Sequence, residues 1–149
     1  MKGERRRARE LALQALYEID LVGHEPGQVL QERFLDDPEL SKAVQHYSSR
    51  LVQGVVQSRA LLDEHIQAHA REWPLEQVAV IDRNLLRLSL YEMAMLDVPV
   101  RVVINEAVEL AKSFGADNAP RFVNGVLGAL APLRREIARA LAPVLPSER

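Results

Sequence analysis

At 149 residues, with 48% hydrophobic and 27% charged side chains, the chain has the size and balance of one soluble globular domain with a real core. It contains no cysteine, which excludes disulfides, thiolate metal sites and cysteine nucleophiles and is compatible with a reducing compartment. The net charge is −2, and no apolar run reaches the roughly 18 residues needed to span a bilayer. The first nine residues, MKGERRRAR, set Lys2, Arg5, Arg6, Arg7 and Arg9 against the single acid Glu4, so a basic start precedes a mildly acidic body. That start is no signal peptide, because Glu10, Gln14, Glu18 and Asp20 interrupt the apolar region it would need. The acids also argue against an import peptide, so the cytoplasm is the expected compartment.

In chain order, Ala8, Leu11, Ala12, Ala15, Leu16 and Ile19 share one helical face over residues 4–22. Gly23 ends this helix and Pro26 bars its continuation. A short helix is predicted from Gly27 to Leu35. Asp36-Asp37-Pro38 reads as a turn, with Asp37 a candidate N-cap for a helix from Glu39 to about Ser58. A further stretch carries Leu61, Leu62, Ile66 and Ala70 and runs to Glu72. Gly54 is only a weak breaker, so one helix or two both fit. Pro74 restarts the chain into a long helix from Leu75 to Leu96. Asp97-Val98-Pro99 breaks it, and Val100 to Phe114 follows with Ile104, Ala107, Val108 and Ala111 at helical spacing. Gly115 suits a C-cap, and Asn118 an N-cap for a helix to about Ala131, which Pro132 stops. Leu133 to Leu141 is a last amphipathic piece before Pro143 and Pro146. No strand alternation or hairpin turn appears. The fold class is all-α, a compact bundle of about seven helices.

The basic start is the main functional signal. Four arginines favour phosphate, because the planar guanidinium offers paired donors. At about 100° per residue, Arg6, Glu10, Leu13 and Tyr17 fall on one stripe opposite the apolar face, with Arg7 and Gln14 beside it. Arginines for phosphates, Tyr17 for stacking and Gln14 for a base edge suit single-stranded RNA. The plainer alternative is that Tyr17 packs on a neighbouring helix and the arginines are solvated. Other candidate sites are poor. His65 and His69 are four apart, but Ile66 stands where a zinc-protease helix needs Glu, and no third ligand is evident. No phosphate loop or serine-nucleophile turn is present, and nothing assembles a nucleophile, base and oxyanion hole. Neither catalysis nor a cofactor is expected.

Four blocks together resemble the NusB family of bacterial transcription antitermination factors. They are RRRARELALQALYEID at Arg5–Asp20, IDRNLLRLSLYEM at Ile81–Met93, VPVRVVINEAVELAKSFG at Val98–Gly115, and RFVNGVLGAL at Arg121–Leu130. INEAVELAK followed closely by FVNGVL is the most specific part. The resemblance spans residues 1–132 as one RNA-binding helical domain. It leaves residues 133–149 as a C-terminal extension, helical and then Pro-rich, with no assigned function.

The resemblance implies two packed helical sub-bundles and binding of boxA-type RNA together with NusE, a small-ribosomal-subunit protein. It implies loading onto RNA polymerase with NusA and NusG during ribosomal RNA synthesis. Some relatives form homodimers that hide the RNA surface. The family's arginine-rich first helix maps onto Lys2, Arg5, Arg6, Arg7, Gln14 and Tyr17. A second RNA contact maps onto Asn118, Arg121 and Phe122, where Asn118 serves as cap and contact, and Phe122 either contacts or only packs. The NusE surface maps onto Glu76 and Asp82, with Arg83 a weaker candidate. Glu76 as a first-turn acid and Asp82 as a local ion-pair partner are compatible local roles. Asn105, Glu106 and Glu109 are read as structural, with Glu109 pairing Lys112. Two other functions compete with the adaptor. One is an accessory domain of an RNA-modifying enzyme, whose relatives carry a catalytic cysteine this chain lacks; the other is a protein-binding helical scaffold.

Overall fold

The computed structural model describes residues 2–70 and 74–146, with Lys2 described by its backbone alone. Among these residues it is all-α, with seven α-helices: α1 (Lys2–Val22), α2 (Pro26–Leu35), α3 (Lys42–His69), α4 (Val80–Met95), α5 (Val100–Phe114), α6 (Ala119–Leu130) and α7 (Arg134–Leu141). Short 3₁₀ turns lie at Leu75–Gln77, Ala131–Leu133 and Ala142–Val144. Helices α1 to α3 pack as one sub-bundle and α4 to α7 as the other. Helix α4 is the common wall, touching α1 and α3 on one side and α5, α6 and α7 on the other. Leu85, Leu86, Leu88 and Leu90 of α4 are all essentially buried. A helix apolar around most of its circumference belongs in the middle of a bundle. Ile137 and Leu141 of α7 are fully buried, so this last helix packs on α3 and α4.

Local chemistry explains most helix ends. Gly23 has φ +81°, the left-handed conformation glycine adopts without steric cost, and its N–H reaches Ile19 O at 2.9 Å. Glu25 caps α2 by accepting from the Gly27 and Gln28 N–H groups, with Pro26 at the first helical position. The cap expected at Asp37 is elsewhere. Helix α3 starts at Lys42, where Ser41 Oγ accepts from Val44 N–H at 3.1 Å and donates to Glu4 at 2.6 Å. Asp37 closes a turn instead, its carbonyl accepting from Leu40 N–H. Helix α3 runs unbroken through Gly54, a glycine required because Tyr91 of α4 packs against it; a Cβ there would sit 2.0 Å from the ring.

The predicted helix from Leu75 begins late. Gln67 holds the Leu75 N–H at 2.6 Å and donates to the Ala70 carbonyl at 3.1 Å, tying this segment to the end of α3. Val78 and Ala79 are then extended, and α4 starts only at Val80. The expected extension of α3 to Glu72 falls outside the described residues. Gly115 follows α5 with φ −91°, so it is no left-handed cap. Space requires it: a Cβ would lie 2.6 Å from Asp82 Oδ1 and 2.7 Å from Ala119 Cβ.

Candidate nucleic-acid interface

The basic end of α1 is more partnered than a charge count suggests. Arg9 is buried rather than presented. Its Nε lies 2.9 and 3.0 Å from the two oxygens of Glu92, and its Nη1 lies 3.4 Å from Glu106. Burial works against the Arg9 charge, but Glu92 outweighs it and the pKa rises. Glu92 also accepts from the Tyr47 hydroxyl. Burial, with Glu92 alongside, pushes that phenol up to about 12. Arg5 lies over the Tyr47 ring, 3.8 Å from its centroid. One buried network therefore anchors the basic turn.

The remaining arginines face outward. Arg6 donates to Glu106 of α5 at 3.1 and 2.7 Å, yet its side chain stays 47% exposed. Those hydrogen bonds, with the Glu106 charge, raise its pKa. Arg7 makes only long pairs, 3.7 Å to both Glu10 and Asp37. Arg5, Arg6 and Arg7 thus share one held, outward-facing turn. The Lys2 side chain lies outside the described residues.

The stripe predicted along α1 is narrower than expected. Leu13, placed on it by periodicity, is fully buried because α2, α3 and α4 all pack on α1. Tyr17 is 39% exposed but lies about 16 Å along the axis from Arg6. Gln14 is held by Arg33 of α2, which donates to both its side-chain and main-chain oxygens at 3.4 Å. Gln14 and Tyr17 therefore sit apart from the arginine turn.

Asn118, Arg121 and Phe122 come together at the start of α6, sharing one hollow with Gln77 and Asp82. Asn118 occupies the N-cap position, but its side chain makes no capping bond, contrary to expectation. It is exposed, whereas Phe122 is half-buried against the core. Helix α5 joins the two cationic patches. Its Glu106 holds Arg6, its Glu109 adds to the field on Arg6, and Asn105 and Glu109 line a hollow with Arg121. Glu106 is structural as expected, holding Arg6 and Arg9. Glu109 pairs with Lys112 at 2.9 Å as predicted.

The residues expected to meet a protein partner divide. Glu76 and Arg83 share a cleft of about 750 Å³ with Arg59, Asp63 and Arg87. Asp82 is buried on the other side, 5% exposed, and takes the Ala116 N–H. Burial raises its carboxyl pKa, and its Oδ1 has no hydrogen-bond partner. The sequence reading missed the residue that organises the cleft, Asp20 at the end of α1. Its carboxylate takes Arg83 at 2.8 and 3.0 Å, Asn84 at 2.8 Å, Arg87 at 2.9 Å and Arg59 at 3.2 Å. Burial would raise the Asp20 pKa, but Arg83, Asn84, Arg87 and Arg59 hold it well below the usual carboxylate range.

A central helix walled by two sub-bundles carries an arginine turn on α1 and an exposed Arg121 on α6, with α5 between them. A sequence model of the NusB family matches residues 6–132. The transcription antitermination protein NusB of Dehalococcoides mccartyi strain CBDB1 is 50% identical over 131 residues, covering 87% of this chain and 91% of its own. That of Anaeromyxobacter dehalogenans strain 2CP-1 is 43% identical over 149 residues, covering all of both chains. Among solved structures, T. maritima NusB superposes with TM-score 0.81 at 32% identity, covering 86% of this chain and 90% of that one. A NusB in complex with NusE and double-stranded RNA gives 0.80 at 30% identity, covering 89% and 98%. The chain belongs to the NusB family. Among the described residues no helix is long and apolar enough to cross a membrane.

Proposed function

We propose that the chain is a non-catalytic transcription antitermination adaptor. It binds boxA-type single-stranded RNA jointly with NusE and loads onto RNA polymerase with NusA and NusG during ribosomal RNA synthesis. The observation that carries this reading is the held arginine turn of α1, bridged through α5 to the exposed Asn118 and Arg121. The solved complex of a related NusB with NusE and double-stranded RNA supports joint binding of NusE and RNA. RNA meets Lys2, Arg5, Arg6 and Arg7, with Asn118, Arg121 and Phe122 as the second contact and Gln14 and Tyr17 further along α1. Unpaired bases are favoured over a duplex because aromatic side chains can stack only on bases freed from pairing. Glu76 and Arg83 form the NusE edge, and Asp82, buried on the α6 side, does not face it.

Arg9 is withdrawn from the phosphate count by Glu92. Lys2, Arg5, Arg6, Arg7 and Arg121 then limit the salt slope of this chain to about −3.5 at most, at roughly 0.7 per phosphate on a single strand. Arg6→Ala with Arg7→Ala is expected to flatten that slope by about 1.4 and weaken binding. The fold should survive, because Glu106 keeps Arg9. The intramolecular pairs of Arg6 and Arg7 are what a pure protein scaffold would also show. If the double variant retains helical content and binds RNA like wild type, the scaffold reading replaces this one.

A further inference from the structure

Gly125 lies in the middle of α6, where glycine is among the least favourable helix residues. Gly23 is explained by its positive φ, Gly54 by the Tyr91 ring and Gly115 by Asp82, whereas Gly125 and Gly128, both in α6, are open. Gly125 has helical backbone, is exposed, and a Cβ there would meet nothing within 4 Å. Nothing inside the fold requires it. It forms part of the wall of a hollow of about 500 Å³ between the end of α3 and α6, together with His69, Arg121 and Phe122. Among the described residues no carboxylate lines this hollow, whereas Asp82 and Glu109 line the two others that Arg121 borders. His69 Nδ1 lies 3.0 Å from the His65 carbonyl, so that nitrogen donates and Nε2 is left as the acceptor.

We propose that this hollow seats one unpaired nucleobase of the bound RNA. Arg121 holds the adjoining phosphate, Phe122 supplies the apolar wall, and His69 Nε2 accepts from a base amino or imino group. Gly125 is the point where the base passes close to the helix, since bare backbone permits an approach that any side chain blocks. The inference rests on the RNA-binding reading above. It extends the RNA path across α6 to residues on α3 that the first reading left out. Among the described residues the charged side chain in the wall is Arg121, which suits a phosphate.

The test fills the hollow without straining the chain. Gly125→Leu places a side chain in open space and improves helix propensity, so thermal stability should hold or rise. Gly128→Leu, equally open but away from the hollow, is the control. Fluorescence anisotropy with a boxA-like single strand should show about tenfold weaker binding for Gly125→Leu, the loss of one stacked base. Gly128→Leu should bind like wild type, and NusE affinity should be unchanged in both. A set of strands each carrying one abasic position adds a second reading. At one position the abasic strand should weaken wild type but have no further effect on Gly125→Leu. Wild-type RNA affinity in Gly125→Leu overturns the proposal, as does lost NusE binding with RNA binding intact. If Arg6→Ala with Arg7→Ala still weakens RNA in that case, only the subsite fails. If neither variant changes RNA binding, the RNA-binding reading fails with it.

Discussion

Glu92→Gln tests whether the buried network under the basic turn holds the two sub-bundles together. Glu92 is 1% exposed and receives Arg9 Nε at 2.9 and 3.0 Å, Arg9 Nη2 at 2.8 Å and the Tyr47 hydroxyl. The pair links α1 to α4, and Tyr47 adds α3. Removing one charge from a buried pair costs about 3–5 kcal/mol, because the other is left uncompensated. Glutamine keeps one acceptor oxygen, and Glu106 remains 3.4 Å from Arg9, so the lower end, about 3 kcal/mol, is expected. For a domain of this length that corresponds to a melting temperature lower by about 6–12 °C. Urea unfolding should show the midpoint falling at constant m-value. Arg9→Met with Glu92→Leu should recover much of the loss, since paired apolar replacements leave no orphan charge. A loss below about 1 kcal/mol in Glu92→Gln, or a double variant no better than the single, would refute the assignment.

Two further predictions concern pH. Asp20 has its pKa depressed by the Arg83, Asn84, Arg87 and Arg59 cluster, so its contribution is present above the unfolded value near 4 and is lost as pH falls below it. Asp20→Asn should be less stable at neutral pH and flatten the acid limb of stability against pH, measured by urea midpoints from pH 7 down to 3. Tyr47 has its pKa raised to about 12, so its contribution is complete below pH 10 and is lost between pH 10 and 12. Tyr47→Phe should remove that part of the alkaline decline, about 2–3 kcal/mol at 1.36 kcal/mol per unit; an alkaline limb unchanged from wild type would contradict it.

Periodicity made the helices legible because each one buries a continuous stripe. It placed α5 and α6 closely, where Ala107, Ala111, Val123 and Leu127 repeat cleanly. It erred where a side chain elsewhere in the chain sets the boundary. Gln67 fixes the break before α4, and Ser41 rather than Asp37 caps α3. Both depend on contacts that a linear pattern does not contain. The site was legible as residue types but not as pairings. Counting Arg9 with Arg6 and Arg7 treated the basic run as one surface, whereas helical rotation turns Arg9 inward to Glu92. Asp20 was given no role in the sequence reading and is the anchor for three arginines. Asp82 was read as a surface acid, but the turn before α4 brings it under Gly115.

The most direct test of the central claim is a titration of a boxA-like single strand and a scrambled control with this chain, with and without NusE, at two salt concentrations. The account predicts preference for the boxA-like strand, a salt slope no steeper than about −3.5 for the chain alone, and tighter binding when NusE shares the RNA. Equal, weak, salt-sensitive binding of both strands, indifferent to NusE, would contradict it and reduce the arginine turn to a general polyanion patch.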